Sequence, residues 1–530
     1  MKIKILIVAI LAAFISLSLR AARISKEGAI EKPRMVLTCD PECDDNNSLI
    51  RYLLYSSDFE TDAIVLSSSE YHWKGDGQGG TQYLPNREYS GYGLKIGPQK
   101  SWRWPKSNII QECLDEYEKA YPNLIIHDKD YPTPQSLRSV YRIGNIDFEG
   151  EMSKDTPGSK LIENIFLDNR RGPVFAMAWG GVNTIARALK HIDETYRNTA
   201  LWDSVYKKVC DKVILCMSGN QDDTYPTYIA LKWPDIKIQA GNSNVPLVYH
   251  AQRVCLPQDT VYYSARWYSK YITGVGPFAK QERIWGDGKQ LVPDDIFDCF
   301  GLTDKYTPEQ LLKMGYVEIH PANPTGSFLG EGDTYNYLNM IDNGLRAWQN
   351  LTWGGWDGFT LSVTQKKHLS GEYIHSKAPA KASVYSGDVM KKVMSSMFEI
   401  PSKIFPDFVP AVQNGLAARF AWSATNDYRK ANHYPIVKGP LDMVGKPGQE
   451  LQVKTQVSDP DGDKVDLLWM QFKVGTYLGN VKISNIHKKQ IVVRIPADAK
   501  SGQTIHLVLQ VTDHGKIPLT RYLRTVITVQ

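Results

Sequence analysis

The chain has 530 residues, 42% of them hydrophobic and 22% charged. That length exceeds one hydrophobic core and implies roughly two to four domains, and the composition is globular rather than disordered. The formal net charge of +5 falls to about +2 when Lys2, Lys4 and Arg20 are set aside with a leader, too little to argue for nucleic acid or an anionic membrane as a partner.

At the N-terminus, Lys2 and Lys4 precede the apolar run Ile5 to Leu19, and Arg20-Ala21-Ala22 follow. A short positive region, a short apolar core and small residues read as a secretory signal peptide over residues 1–22. The alternative is a retained N-terminal anchor, against which the apolar run is shorter than the ~20 residues of a membrane span. The protein is therefore expected to be exported, periplasmic or extracellular, with no integral span after leader removal. The odd count of seven cysteines leaves at least one unpaired in an exported chain. Cys39, Cys210 and Cys216 lie in apolar runs and read as buried thiols.

An alternation of strands and helices follows. Strands are predicted at Met35–Thr38, Ala63–Leu66, Val174–Ala178, Val213–Met217 and Ile236–Ile238. Leu49, Ile50, Leu53 and Leu54 have helical spacing within 46–57, and a second helix is predicted over 182–190. This order predicts an α/β domain over 30–365, a mostly parallel sheet with helices on both faces. Residues 366–440 read as a connecting segment, partly helical. From 441 to 530, predicted strands at 451–457, 465–472, 490–495, 505–511 and 522–529 alternate with turn signals, the pattern of a small immunoglobulin-like β-sandwich.

Asp40, Glu42, Asp44 and Asp45 place four acids within six residues, just past the first strand. Ligands bind beyond the carboxyl ends of parallel strands. Ca²⁺ takes about six to eight oxygen ligands, which such a loop can supply. The alternative reading is a solvated acidic turn that caps the following helix.

The run Leu37-Thr38-Cys39-Asp40-Pro41-Glu42-Cys43-Asp44-Asp45 resembles the N-terminal signature of the nucleoside hydrolase superfamily, Asp-x-Asp-Pro-Gly-x-Asp-Asp after the first strand. More narrowly, the chain resembles nucleoside-hydrolase-like proteins described as cellulose-binding, which carry an immunoglobulin-like C-terminal domain. Asp155–Ser159, Ala178–Thr184 and Gly330–Thr334 carry that narrower likeness. The resemblance implies that Asp40 binds metal and acts as general base, and that Asp45 is a second metal ligand. It further implies that Asp44 contacts a furanose hydroxyl, Trp179 offers the metal a backbone carbonyl, Asp333 completes the calcium shell and Asn220 contacts sugar. Direct attack by an activated water would then invert the anomeric carbon.

This chain departs from the signature at three places. Thr38 stands for the first Asp. Glu42 stands for the Gly and reads as an extra ligand, a sugar contact or a second acid/base group. Gly332 stands where a leaving-group His often precedes the last metal Asp. Glu70, His72 and Glu331 are candidate proton donors by loop position, and Glu70 and His72 are also candidate substrate contacts. Trp73 reads as a sugar-site residue or an ordinary buried Trp. Trp102, Trp104, Trp353 and Trp356 read as glycan platforms or loop anchors. The turn Asp459-Pro460-Asp461-Gly462-Asp463 reads as a hairpin or a structural calcium loop.

The function expected is a calcium-dependent glycoside hydrolase acting on a furanoside or other glycan. The alternatives are a non-catalytic binder of cellulose-type polysaccharide, a nucleoside N-ribohydrolase, and a structural surface protein with a vestigial site.

Overall fold

The computed structural model describes residues 32–85, 97–239, 245–249, 251–317, 322–358 and 405–530. The expected leader over 1–22, and 366–404 of the expected connecting segment, lie outside the described residues.

Six parallel strands form one sheet in the order β3-β2-β1-β4-β5-β6. They are β1 (Arg34–Cys39), β2 (Glu60–Leu66), β3 (Tyr141–Ile143), β4 (Val174–Ala178), β5 (Val213–Met217) and β6 (Lys237–Gln239). Met35, Leu37, Cys39, Phe175 and Met177 point into one core, and Val36, Val174, Ala176 and Ala178 into the other. Both faces are thus covered, which is why these strands read as unbroken apolar runs rather than alternating ones. Helices α1 (Cys43–Leu54) and α2 (Ile109–His127) contribute to the first core; α3 (Pro157–Leu167), α4 (Asn183–Tyr196) and α5 (Trp202–Lys212) contribute to the second.

The chain winds outward from β1 through β2 to β3, then returns to start β4 on the other side of β1. The crevice between the carboxyl ends of β1 and β4 is therefore a topological switch point, where open α/β sheets bind ligands. Asp40 and Trp179 are the first residues past these two strands.

Several elements differ from expectation. Helix α1 starts at Cys43 instead of near Asn46, so Asp44 and Asp45 lie in its first turn, where carboxylates are favoured by the helix dipole. Strand β3 and helices α2, α3 and α5 were not anticipated. In α2 the signal was present: Ile109, Ile110, Cys113, Leu114, Tyr117, Ala120 and Leu124 are buried at helical spacing. Strand β3 has three residues, none of them buried, and carries no such signal. Helix α6 (Val409–Ala424) closes the first face, with Val412, Leu416 and Phe420 in its core. Among the described residues, no helix is long and apolar enough to cross a membrane.

The C-terminal region is built of strands β7 (Ile436–Lys438), β8 (Asp442–Gly445), β9 (Glu450–Lys454), β10 (Gln456–Ser458), β11 (Val465–Phe472), β12 (Lys482–Ser484), β13 (Gln490–Arg494), β14 (Thr504–Asp513) and β15 (Thr520–Val529). A four-stranded sheet, β11-β14-β15-β8, and a three-stranded one, β12-β13-β9, share a core that includes Val453, Trp469, Ile491, Val493, Leu507 and Ile527. The single strand expected over 451–457 is two, β9 and β10, which belong to different sheets. Phe472, Val508 and Tyr522 turn the other way and join the first α/β core.

In the Asp459–Asp463 turn the carboxylates hold protein groups. Asp459 accepts the amides of Asp461 and Asp463, and Asp461 accepts the amide of His433 at 2.7 Å and faces its ring. All seven cysteines are free thiols. Trp73 and Trp356 are buried, and Trp102, Trp104 and Trp353 are half-buried, so these residues are packing anchors and not exposed platforms.

Candidate metal and active site

Past β1 the chain leaves the sheet with Asp40 fully buried. Its Oδ2 accepts the hydroxyl of Ser69 from the loop after β2, while its Oδ1 is buried with no hydrogen-bond partner. Ser69 is held in turn by the amides of Tyr71 and His72, which donate to its Oγ. On the other side, the backbone after β4 presses on the same carboxylate. A Cβ on Gly180 would lie 2.6 Å from Asp40 Oδ1, closer than any side chain tolerates, so only glycine lets this loop pass. Thr38, standing for the first acid of the signature, is buried within β1 and donates to the Met177 carbonyl at 3.3 Å.

Glu42 occupies the N-cap position of α1 but makes no side-chain capping bond, which leaves its carboxylate to the site. One oxygen each from Glu42, Asp44 and Asp45 lie within 4.8 Å of one another, and so do ligand atoms of Asp40, Glu42 and His72. Asp333, from the loop after Gly332, completes the group; its Oδ1 accepts the Ser218 hydroxyl at 2.5 Å. Burial, and then the charges of Asp333, Asp40 and Asp44, push the Asp45 carboxyl well up; burial and then Asp44 do the same to Asp333. Burial also raises Asp40, to about 6, and raises Asp44 and Glu42. Arg103 offsets Glu42, but its guanidinium also pairs with Asp295 at 2.7 Å. Five mutually repelling carboxylates, with Asp45 Oδ1 as well as Asp40 Oδ1 buried and unpartnered, form an oxygen donor set suited to a hard cation.

Tyr249 was not anticipated. Its hydroxyl donates to Asp44 at 2.7 Å and lies 3.2 Å from Glu42, and its ring stacks on Phe300. No motif surrounds it in sequence. Gly332 also has a structural reason: a Cβ there would lie 2.1 Å from Asp44 Oδ2. A side chain at 332 would therefore require the Asp44 carboxylate to move.

The remaining expected residues divide. The Trp179 carbonyl accepts Gln221 Nε2 at 2.9 Å, which leaves one lone pair. Asn220 is buried, donates to Asp223 at 2.7 Å and keeps its Oδ1 unpartnered. Glu70 is buried, with its amide donating to the Gln221 carbonyl at 2.7 Å. His72 is buried; its Nδ1 lies 2.7 Å from the Arg103 carbonyl, and burial and then the Arg103 charge hold its pKa well down. Glu331 is not available as a proton donor. It forms a buried two-pronged pair with Arg51 of α1 at 2.5 and 2.9 Å and also accepts Thr334. The Asp155–Ser159 motif is structural too: Thr156 and Ser159 form the capping box of α3, and Asp155 pairs with Arg187 of α4.

A family model described as "Cellulose-binding Sde182, nucleoside hydrolase-like domain" matches residues 34–359, and one described as "Cellulose-binding protein Sde0182, C-terminal domain" matches residues 450–529. Among solved structures, a nucleoside hydrolase-related hypothetical protein from Saccharophagus degradans, described as associated with carbohydrate metabolism, superposes with a TM-score of 0.63. That match is 21% identical and covers 94% of this chain and 100% of that one, a likeness of fold. The titin M3 domain matches 18% of this chain and 96% of its own at 16% identity, and its TM-score of 0.14 carries no argument. No curated protein matches the chain.

Proposed function

The chain belongs to the family of the cellulose-binding, nucleoside hydrolase-like domain, and from that premise we propose that it is an exported, calcium-dependent glycoside hydrolase acting on a furanoside or other glycan. The observation that carries this reading is the convergence of Asp40, Glu42, Asp44, Asp45 and Asp333, with buried unpartnered oxygens on Asp40 and Asp45. Asp40, Asp45 and Asp333 would hold the calcium, with the free lone pair of the Trp179 carbonyl as a further donor. When bound, the ion supplies positive charge that polarises water and grips neighbouring sugar hydroxyls.

The protein's own groups do the rest. Ser69 fixes Asp40 through Oδ2, and Oδ1 accepts the proton of the attacking water. Asp44 and the unpartnered Asn220 Oδ1 would serve as acceptors for sugar hydroxyls. Of the three proton donors expected for the leaving group, Glu331 is paired with Arg51, and His72 is committed through Nδ1 to the Arg103 carbonyl with its pKa held down by burial and then the Arg103 charge, so we assign that role to Glu70. Attack by water without a covalent intermediate inverts the anomeric carbon. A nucleoside substrate is disfavoured because Gly332 supplies no imidazole to protonate a leaving base.

A second reading, a carbohydrate-binding protein without catalysis, is favoured by the family's description as cellulose-binding. The two are separated by one screen. Furanosides, nucleosides, cellulose and other cell-wall polysaccharides are incubated with the protein, with and without Ca²⁺. Calcium-dependent release of sugar is expected, with an inverted anomer by NMR and a rate lower by about 100-fold or more in Asp40→Asn. Binding to polysaccharide with no release from any substrate would replace the hydrolase reading with the binding one.

A further inference from the structure

We propose that the site holds two cations rather than one: beside the hard oxygen site, Asp40, Glu42 and His72 form a second site for a borderline dication of the zinc type. The inference shares Asp40 with the calcium reading above and rests on it for the identity of the first ion, but it does not depend on hydrolysis.

The two overlapping clusters differ in donor type. Glu42, Asp44 and Asp45 offer oxygen alone within 4.8 Å, whereas Asp40, Glu42 and His72 offer two oxygens and a ring nitrogen within the same distance. Glu42 belongs to both sets. It is also the residue that stands in this chain for the Gly of the signature it resembles.

His72 is the observation that stands apart from the acids. It is 1% exposed, and its Nε2 is buried without a hydrogen-bond partner. Its Nδ1 lies 2.7 Å from the carbonyl oxygen of Arg103. A carbonyl only accepts, so Nδ1 carries the proton and Nε2 presents a bare lone pair. A histidine whose far nitrogen donates to a backbone carbonyl is the arrangement that orients imidazole ligands on metals. Imidazole with carboxylate suits zinc and its neighbours rather than calcium. A buried lone pair with no donor facing it is costly; a cation removes that cost.

Charge points the same way. One dication balances only two of the five carboxylates that meet here, were all of them to ionise. Arg103 is shared with Asp295 and does not make up the difference. A second dication does most of that.

The test uses the full chain and Co²⁺ as a spectroscopic stand-in for zinc. With Ca²⁺ saturating, one equivalent of Co²⁺ is expected to bind and give visible d–d absorption, without releasing Ca²⁺ by elemental analysis. His72→Gln keeps an amide able to donate to the Arg103 carbonyl. It is expected to weaken Co²⁺ binding by roughly tenfold or more and to leave Ca²⁺ binding in place. Asp45→Ala is expected to do the reverse. Because a buried variant can misfold, the unmutated protein, saturated with Ca²⁺ and given one equivalent of Cu²⁺, is also read by pulsed EPR, where coupling to an imidazole nitrogen is expected. Absence of nitrogen coupling, equal Co²⁺ binding in His72→Gln, or Co²⁺ binding only by displacing Ca²⁺ would each overturn the second site. Co²⁺ binding through His72 in a protein that takes up no Ca²⁺ would instead support the second site and remove the calcium reading.

Discussion

The two ends of the parallel sheet handle charge in opposite ways. At the amino ends of the strands, Arg34 pairs with Asp62 at 2.7 Å and Asp168 at 2.6 Å, Lys212 pairs with Asp168 at 2.7 Å, and Arg170 reaches Asp62 and Glu60. Three cations meet three acids. At the carboxyl ends, five acids meet with Arg103 alongside, already engaged by Asp295. Matched charge ties strands and helices together. Unmatched buried charge costs stability and so persists where something outside the chain, here a cation, completes it.

If the amino end is structural, breaking it is expensive. Arg34 is buried and holds two acids from separate elements. Arg34→Ala leaves Asp62 buried with less compensation, and the expected loss is about 3–5 kcal/mol in urea unfolding. A loss within error would mean that the pairs at this end are as dispensable as surface ion pairs.

The same contrast sets the response to acid. Partial burial would raise the Asp168 carboxyl, but hydrogen bonds and charges from Arg34 and Lys212 prevail and hold it down at about 2. Its folded pKa lies below the unfolded value of about 3.9. Its contribution is therefore complete above about pH 4 and is lost as pH falls through about 2. Much of the carboxyl is solvent-screened, so the expected extra loss between pH 5 and 2 is about 1–2 kcal/mol relative to Asp168→Asn. Parallel pH profiles for the two proteins would contradict it.

The contrast also marks how far the sequence could be read. The strands flanking the switch point were legible because a doubly covered strand is a continuous apolar run, and the acids from Asp40 to Asp45 were legible because they are contiguous. What escaped was long-range. Tyr249 reaches Asp44 across 205 positions, and Arg51 reaches Glu331 across 280; neither pairing leaves a local pattern. Glu331 looked like a site acid because it sits two positions from Asp333, but its direction is set by Arg51 on α1. The start of α1 was placed too late because its first turn is made of the very acids that read as loop. In His72 the residue type was visible, while the direction of its free nitrogen was not.

The smallest effect tests the unmatched end itself. Burial, then Asp333, Asp40 and Asp44, push the Asp45 carboxyl up. A group raised on folding contributes stability below its unfolded pKa of about 3.9, and that contribution is lost as pH climbs toward the folded value. Metal-free protein should therefore weaken from about pH 4 upward. Asp45→Asn removes one of the repelling charges at nearly the same volume. In chelator at pH 8 the variant is expected to be more stable than the parent by about 1 kcal/mol or less, and at pH 4 the two should coincide. Calcium should reverse the order at pH 8, stabilising the parent and leaving the variant unchanged, because only the parent keeps the full donor set. If Asp45→Asn is the weaker protein in chelator at pH 8, Asp45 is a structural acid matched like Asp62 and Asp168, and the two ends of the sheet do not differ in kind.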